Sequence, residues 1–149
     1  MVDQNRQAQL RSAIEQFYFA YRAFTERPDK ILEQRGLGRV HHRILYFVAH
    51  RPGLSVNELL GILDVSKQAL NAPLRQLLEM KLLSNDAADH DRRVKQIYLT
   101  EEGKKLEAQL TNTQMKQLDA VFQQAGSKPT AAWLNIMTAI AHEQTQQSP

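Results

Sequence analysis

The chain has 149 residues, enough to bury a real core and too few for two full catalytic domains. With 42% apolar and 23% charged residues it falls among ordinary globular chains, which excludes collagen-like, low-complexity and largely disordered classes. The lack of cysteine removes disulfides, thiolate zinc sites, iron–sulfur clusters and thiol redox switches, and a net charge of +3 permits a polyanionic partner without demanding one.

The first element is an amphipathic helix: Leu10, Ile14, Phe17, Tyr18, Tyr21 and Phe24 recur along one 3.6-residue stripe. Arg27-Pro28 predicts its end, since proline disfavours helical geometry in the residue before it. A second helix turns Val40, Ile44, Leu45, Phe47 and Val48 inward and stops at Arg51-Pro52-Gly53. Ser55-Val56-Asn57-Glu58 reads as a capping box opening a short helix to about Leu63. Asp64-Val65-Ser66 then breaks the pattern, and Ser66 is the N-cap expected for a further helix with Leu70, Leu74, Leu77 and Leu78 on one face. Ser84 to Arg93 reads as polar turn. Val94 to Leu99 alternates like a strand, so a small hairpin with a charged tip is expected. Thr100-Glu101-Glu102 caps the next helix, carrying Leu106, Leu110, Leu118, Val121 and Phe122 toward Gly126. Ser127-Lys128-Pro129 opens the last, with Trp133, Leu134, Met137, Ile140 and Ala141 on its stripe.

This order predicts a mainly α fold with a small β-hairpin: a helix-turn-helix followed directly by a hairpin is a winged helix. The amphipathic terminal helices need a surface to bury their stripes, and a second copy supplies one, so they are expected to be dimerisation helices. A two-fold dimer also suits DNA with two half-sites about one helical turn apart. The longest apolar run, Ile44 to Ala49, is far short of the roughly 20 residues of a membrane helix. Met1 to Arg6 has no signal-peptide core. The expectation is therefore a cytoplasmic protein with no membrane partner.

Asp91-Arg92-Arg93 through Ile97-Tyr98-Leu99-Thr100-Glu101-Glu102-Gly103 resembles the D-x-R…LT-x-x-G signature of the MarR family of bacterial transcriptional regulators. Ser55-Val56-Asn57-Glu58-Leu59 and Val65-Ser66-Lys67 resemble the helix and turn that precede it, and the likeness covers nearly the whole chain. The resemblance implies a single domain over 1–149, with about 36–100 as the winged-helix DNA-binding part and about 1–35 and 101–149 as dimerisation helices. It further implies an obligate homodimer on pseudo-palindromic operators, usually a repressor, that releases DNA when a small, often phenolic effector enters a crevice. The recognition helix departs from the family pattern. Ala72 stands where a basic residue is common, and Pro73 removes a helical bond to the Ala69 carbonyl at a cost on the order of 3 kcal/mol, which predicts a kinked or late-starting helix.

With the leucines inward, Gln68, Asn71, Ala72 and Arg75 fall on the outward arc, with Ser66 and Lys67 at the helix start. Gln and Asn can pair with adenine, and Arg with guanine, in a major groove. In the wing, His90, Arg92, Arg93 and Lys95 can bring positive charge to phosphates or to a minor groove. The family pattern pairs Asp91 with Arg93 and leaves Arg92 freer. Double-stranded DNA, a second copy of the chain and a small aromatic or apolar effector are thus the expected partners. Tyr18, Tyr21, Arg22, His42 and Tyr46 are the candidates for lining the effector site. His41, His42 and His50 raise a metal site, but neighbouring histidines point about 100° apart on a helix and no second cluster completes a ligand set, so they read as surface or interface residues. No metal or cofactor is implied. Catalytic motifs such as a Gly-rich phosphate loop, H-E-x-x-H or G-x-S-x-G are missing, so an enzyme is not expected. Pro73 and the modest charge keep one alternative open: a winged-helix dimer that binds a protein partner and has lost specific DNA readout.

Overall fold

The computed structural model describes residues 3–147. Helices α1 (Gln4–Glu33) and α2 (Arg39–His50) lead to strand β1 (Leu54–Ser55), then α3 (Val56–Leu63) and α4 (Lys67–Glu79). Strands β2 (Leu83–Ala87) and β3 (Lys95–Leu99) follow, and α5 (Glu101–Ala125) and α6 (Ser127–Gln147) close the chain. Two compact units result, residues 1–114 and 115–149, with α5 beginning in the first and ending in the second.

The first unit holds the core. Leu32, Ile44, Leu45, Val48, Leu59, Leu70, Leu77, Leu82, Ile97 and Leu110 are almost wholly buried in one cluster drawn from α1 to α5 and the sheet. The three antiparallel strands lie in the order β1-β3-β2, with Leu54 opposite Ile97 and Leu83 opposite Leu99. The two-residue β1 carries too few residues to register as an alternating pattern. Ser84 to Ala87 belong to β2 rather than to the expected turn. Their side chains are exposed and polar or small, so the backbone ladder to β3, not burial, holds them extended.

Pro28 does not end α1. The helix continues to Glu33 with Pro28 buried inside it. The ring leaves the Phe24 carbonyl without its helical donor, and the Gln114 side-chain amide of α5 donates to that oxygen at 3.5 Å. Continuation also places Leu32 in the core, and burying a leucine is worth about 2 kcal/mol against the roughly 3 kcal/mol that an interior proline costs.

Both stripes expected at the ends of the chain remain uncovered. In the first unit Leu10, Ile14, Phe17, Tyr18, Phe19 and Tyr21 of α1 are exposed, Ile14 to 69%. In the second unit Trp133 packs on Phe122 at 5.4 Å between ring centroids, yet Val121, Trp133, Leu134, Ile136 and Ile140 stay exposed. Gly126 turns the chain between α5 and α6 at φ +98°, and Thr130 Oγ1 donates to its carbonyl at 2.8 Å. Among the described residues no helix is long and apolar enough to cross a membrane.

Candidate nucleic-acid interface

Helix α3 starts on a complete capping box: Glu58 N donates to Ser55 Oγ at 3.1 Å and Ser55 N to Glu58 Oε1 at 3.2 Å. It ends at Asp64, whose left-handed conformation (φ 53°, ψ 48°) breaks the helix and turns the chain toward α4. Ser66 then caps α4, its Oγ accepting from Ala69 N at 3.1 Å. The helix begins at Lys67 and runs unbroken through Pro73, so the late start expected from that proline does not occur. Burial of Leu70, Leu74 and Leu77 on both sides of the proline holds the two turns together.

With those leucines inward, Gln68, Asn71, Ala72 and Arg75 are exposed on one face, and Ser66 and Lys67 at the helix start are exposed too. The first turn of α4 therefore offers backbone N–H groups and the positive end of the helix dipole beside a cation, a surface suited to a phosphate.

The wing is built by β2 and β3, with Asp86 opposite Gln96 and Ala87 opposite Lys95. Its tip is folded on itself: Ala88 N donates to Val94 O at 2.8 Å and Val94 N to Asp91 O at 3.0 Å. The Asp91 carboxylate accepts from Arg93 N at 3.0 Å, from Nε at 3.2 Å and from the guanidinium a second time at 3.2 Å. These bonds, the side chain first and the backbone second, hold the Asp91 carboxyl below the usual carboxylate range. The pair leaves His90, Arg92 and Lys95 exposed, and neither Arg92, Lys95, Lys67 nor Arg75 enters an ion pair within the described chain. From Asp86 to Lys95 the wing carries Asp86, Asp89 and Asp91 against Arg92, Arg93 and Lys95, so its formal charge is zero with His90 neutral.

A clamp fixes the wing's base to α5. Thr100 Oγ1 donates to Lys81 O at 2.7 Å and accepts from Gly103 N at 3.0 Å, while Thr100 N donates to Leu82 O at 3.1 Å. Gly103 lies against the Leu82 backbone: a Cβ there would sit 3.0 Å from the Leu82 carbonyl carbon and nearer still to its oxygen. The Leu-Thr-x-x-Gly spacing thus has a local cause, a capping hydroxyl and a residue without a side chain where two backbones meet.

Sequence reasoning missed the residues behind α4. His41, read as a surface or interface histidine, is only 8% exposed. Its Nδ1 accepts from Gly38 N at 2.9 Å, so Nε2 carries the proton and donates to Gln76 Oε1 at 2.9 Å. Gln76 Nε2 in turn donates to Gly36 O at 3.3 Å. No periodicity or motif marks a glutamine that finds its partners 35 and 40 residues away.

The effector-site candidates form two groups. On α1, the Arg22 guanidinium lies over the Tyr18 ring at 5.6 Å, and Tyr21 accepts from Arg43 at 2.9 Å while Arg39, paired with Asp29 at 2.9 Å, covers its ring at 5.3 Å. Burial pushes the His42 imidazole below its ordinary value, with Asp29 opposing and Arg43 adding to the shift. Tyr46 instead stacks on His50 at 4.3 Å and meets Phe47 edge-on at 5.3 Å. A cleft of about 410 Å³ lies elsewhere, lined by Ile31, Arg35, Glu102, Lys105 and Leu106 among others, and by none of the five. Among the described residues no three His, Asp or Glu side chains gather as a metal site.

A capped helix-turn-helix with an exposed polar second helix, followed by a clamped hairpin, defines a winged helix-turn-helix protein. The MarR family profile matches residues 35–94. The HTH-type transcriptional regulator PetP of Rhodobacter capsulatus is 39% identical over 132 residues, covering 89% of this chain and 80% of that protein. A solved structure of Staphylococcus aureus MarR in complex with salicylate and kanamycin superposes with a TM-score of 0.77 at 20% identity, covering 95% of each chain. A MepR variant of S. aureus bound to an oligodeoxyribonucleotide gives 0.60 at 21% identity, covering 89% of this chain and 97% of that one. The chain belongs to the MarR family of transcriptional regulators, and its relatives are regulators rather than enzymes.

Proposed function

We propose that the chain acts in the cytoplasm as a homodimeric repressor on a pseudo-palindromic operator and leaves it when a small aromatic or apolar effector binds. The observation that carries the DNA reading is the exposed Gln68–Asn71–Arg75 face of α4 beside a wing whose Arg92 and Lys95 side chains enter no ion pair among the described residues. In this reading α4 enters the major groove, with Gln68 and Asn71 addressing adenine and Arg75 guanine. Ser66, Lys67 and the helix N-terminus hold a phosphate, and Arg92, Lys95 and His90 of the wing meet the backbone or minor groove. Arg93, engaged by Asp91, shapes the wing.

A dimer is supported by the uncovered apolar faces of α1 and of residues 115–143, which a second copy would bury. That arrangement assigns about 36–100 to DNA and about 1–35 and 101–149 to the partner subunit. Effector control is supported by the salicylate complex of S. aureus MarR, and Tyr18, Tyr21, Arg22, His42 and Tyr46 are the residues assigned to it here. An effector acts by binding better to a dimer whose recognition helices are wrongly spaced for adjacent grooves. The test is selection of source-genome fragments by the purified protein, then titration of the best one across a salt series beside a scrambled control. A shared palindrome, steep salt dependence and a preference of about 1,000-fold or more support the reading. No enrichment from a confirmed dimer overturns it in favour of a protein-binding winged helix.

A further inference from the structure

Leu70, Leu74 and Leu77 give α4 its burial and fix which face turns inward, but apolar packing is non-directional, so the small adjustments of rotation and axial position that keep those leucines buried are left to directional bonds. Base reading tolerates little of this. The directional link comes from Gln76, one residue beyond Arg75 on the flank of α4. Its amide is fixed in both senses: the carbonyl accepts from His41 Nε2 at 2.9 Å and the amine donates to Gly36 O at 3.3 Å. His41 is itself set by Gly38 N at 2.9 Å. All three contacts lie at the junction of α1 and α2, where Gly36 adopts φ +71° and Leu37 N donates to Leu32 O at 2.9 Å at the end of α1. The alternating donors and acceptors allow one orientation of each group.

We infer that Gln76 and His41 are positioning residues that set the rotation and axial register of the recognition helix against the end of α1, and through α1 the separation of the two recognition helices in a dimer. The inference rests on the proposed reading of α4 as the base-contacting helix and of α1 as a dimerisation helix. It assigns operator discrimination to two side chains that touch no base.

The test compares wild type with Gln76→Met, which keeps the side chain's length and loses both bonds, on the best selected operator, on scrambled DNA, and on operators with half-site separation changed by one or two base pairs. Loss of two directional bonds predicts a fall of about tenfold in the ratio of operator to scrambled affinity and a flatter dependence on half-site separation. Scrambled DNA is the internal reference, because a merely unfolded fraction lowers both affinities together. Should Gln76→Met not fold, Gln76→Glu serves, since it keeps the acceptor for His41 and removes the donor to Gly36. An unchanged ratio and spacing profile in a folded variant overturns the inference alone. A wild type with no preference for any fragment overturns the base-reading assignment and this inference with it.

Discussion

Replacing Gly103 by alanine tests the clamp at the wing's base. A helix interior ordinarily welcomes this change, with alanine favoured over glycine by about 1 kcal/mol. Here the new methyl would press on the Leu82 backbone carbonyl, 3.0 Å from its carbon, and backbone cannot rotate away as a side chain can. Relief requires α5 to move off Leu82, which lengthens Thr100 N to Leu82 O (3.1 Å) and Thr100 Oγ1 to Lys81 O (2.7 Å). Two hydrogen bonds at about 1 kcal/mol each and overpacking at about 1–3 kcal/mol, less the helix preference, leave a net loss of about 2–4 kcal/mol. For a chain of this size that lowers Tm by about 5–15 °C. Thermal melts by circular dichroism at one fixed protein concentration measure it, since subunit association shifts Tm with concentration. Thr100→Val, which removes the hydroxyl's two bonds without overlap, is expected to cost about 1–2 kcal/mol. A Gly103→Ala protein that melts at or above wild type would refute the close-approach argument.

Arg75→Ala is expected to weaken the best operator by about 1–3 kcal/mol and relax preference at one base position, measured by titration of single-base variants; equal binding to all variants by mutant and wild type would remove Arg75 from the readout. Arg92→Ala is expected to weaken selected and scrambled DNA alike and to lower the salt slope by about 1, read from affinities across a salt series. His42, held below its ordinary pKa by burial, binds fewer protons folded than unfolded. Its contribution to stability is therefore complete above about pH 6.5, the unfolded value, and is lost as pH falls from there through the lowered folded-state value, and His42→Gln should flatten the decline in Tm over that window. A variant with the wild-type slope would assign the acid sensitivity to another group.

The elements legible in the sequence are those announced by local chemistry. Ser55 with Glu58, Ser66 and Thr100 each accept from the backbone three residues on, and a bond of that span is written in adjacent letters. The outward arc of α4 follows equally from the spacing of its leucines. What escaped was settled at long range. Pro28 reads as a stop until the amide of Gln114, 86 residues on and donating to Phe24 O, answers the carbonyl it orphans. Strand β2 has no apolar alternation because its partner β3 supplies the order. His41 looks like any histidine on a helix until Gln76 closes the contact from 35 residues away.

The wing's balanced charge bears on how a regulator spends its time. Random sequence is held by phosphate contacts alone, and a genome offers on the order of a million or more such competing sites. A hairpin with as many carboxylates as cations, one of those cations already bound to Asp91, adds no net charge to that indiscriminate grip and leaves its share to single exposed cations such as Arg92. In the DNA-binding reading, such a wing is expected to hold a smaller share of molecules on irrelevant sequence than a hairpin of the same size carrying cations alone.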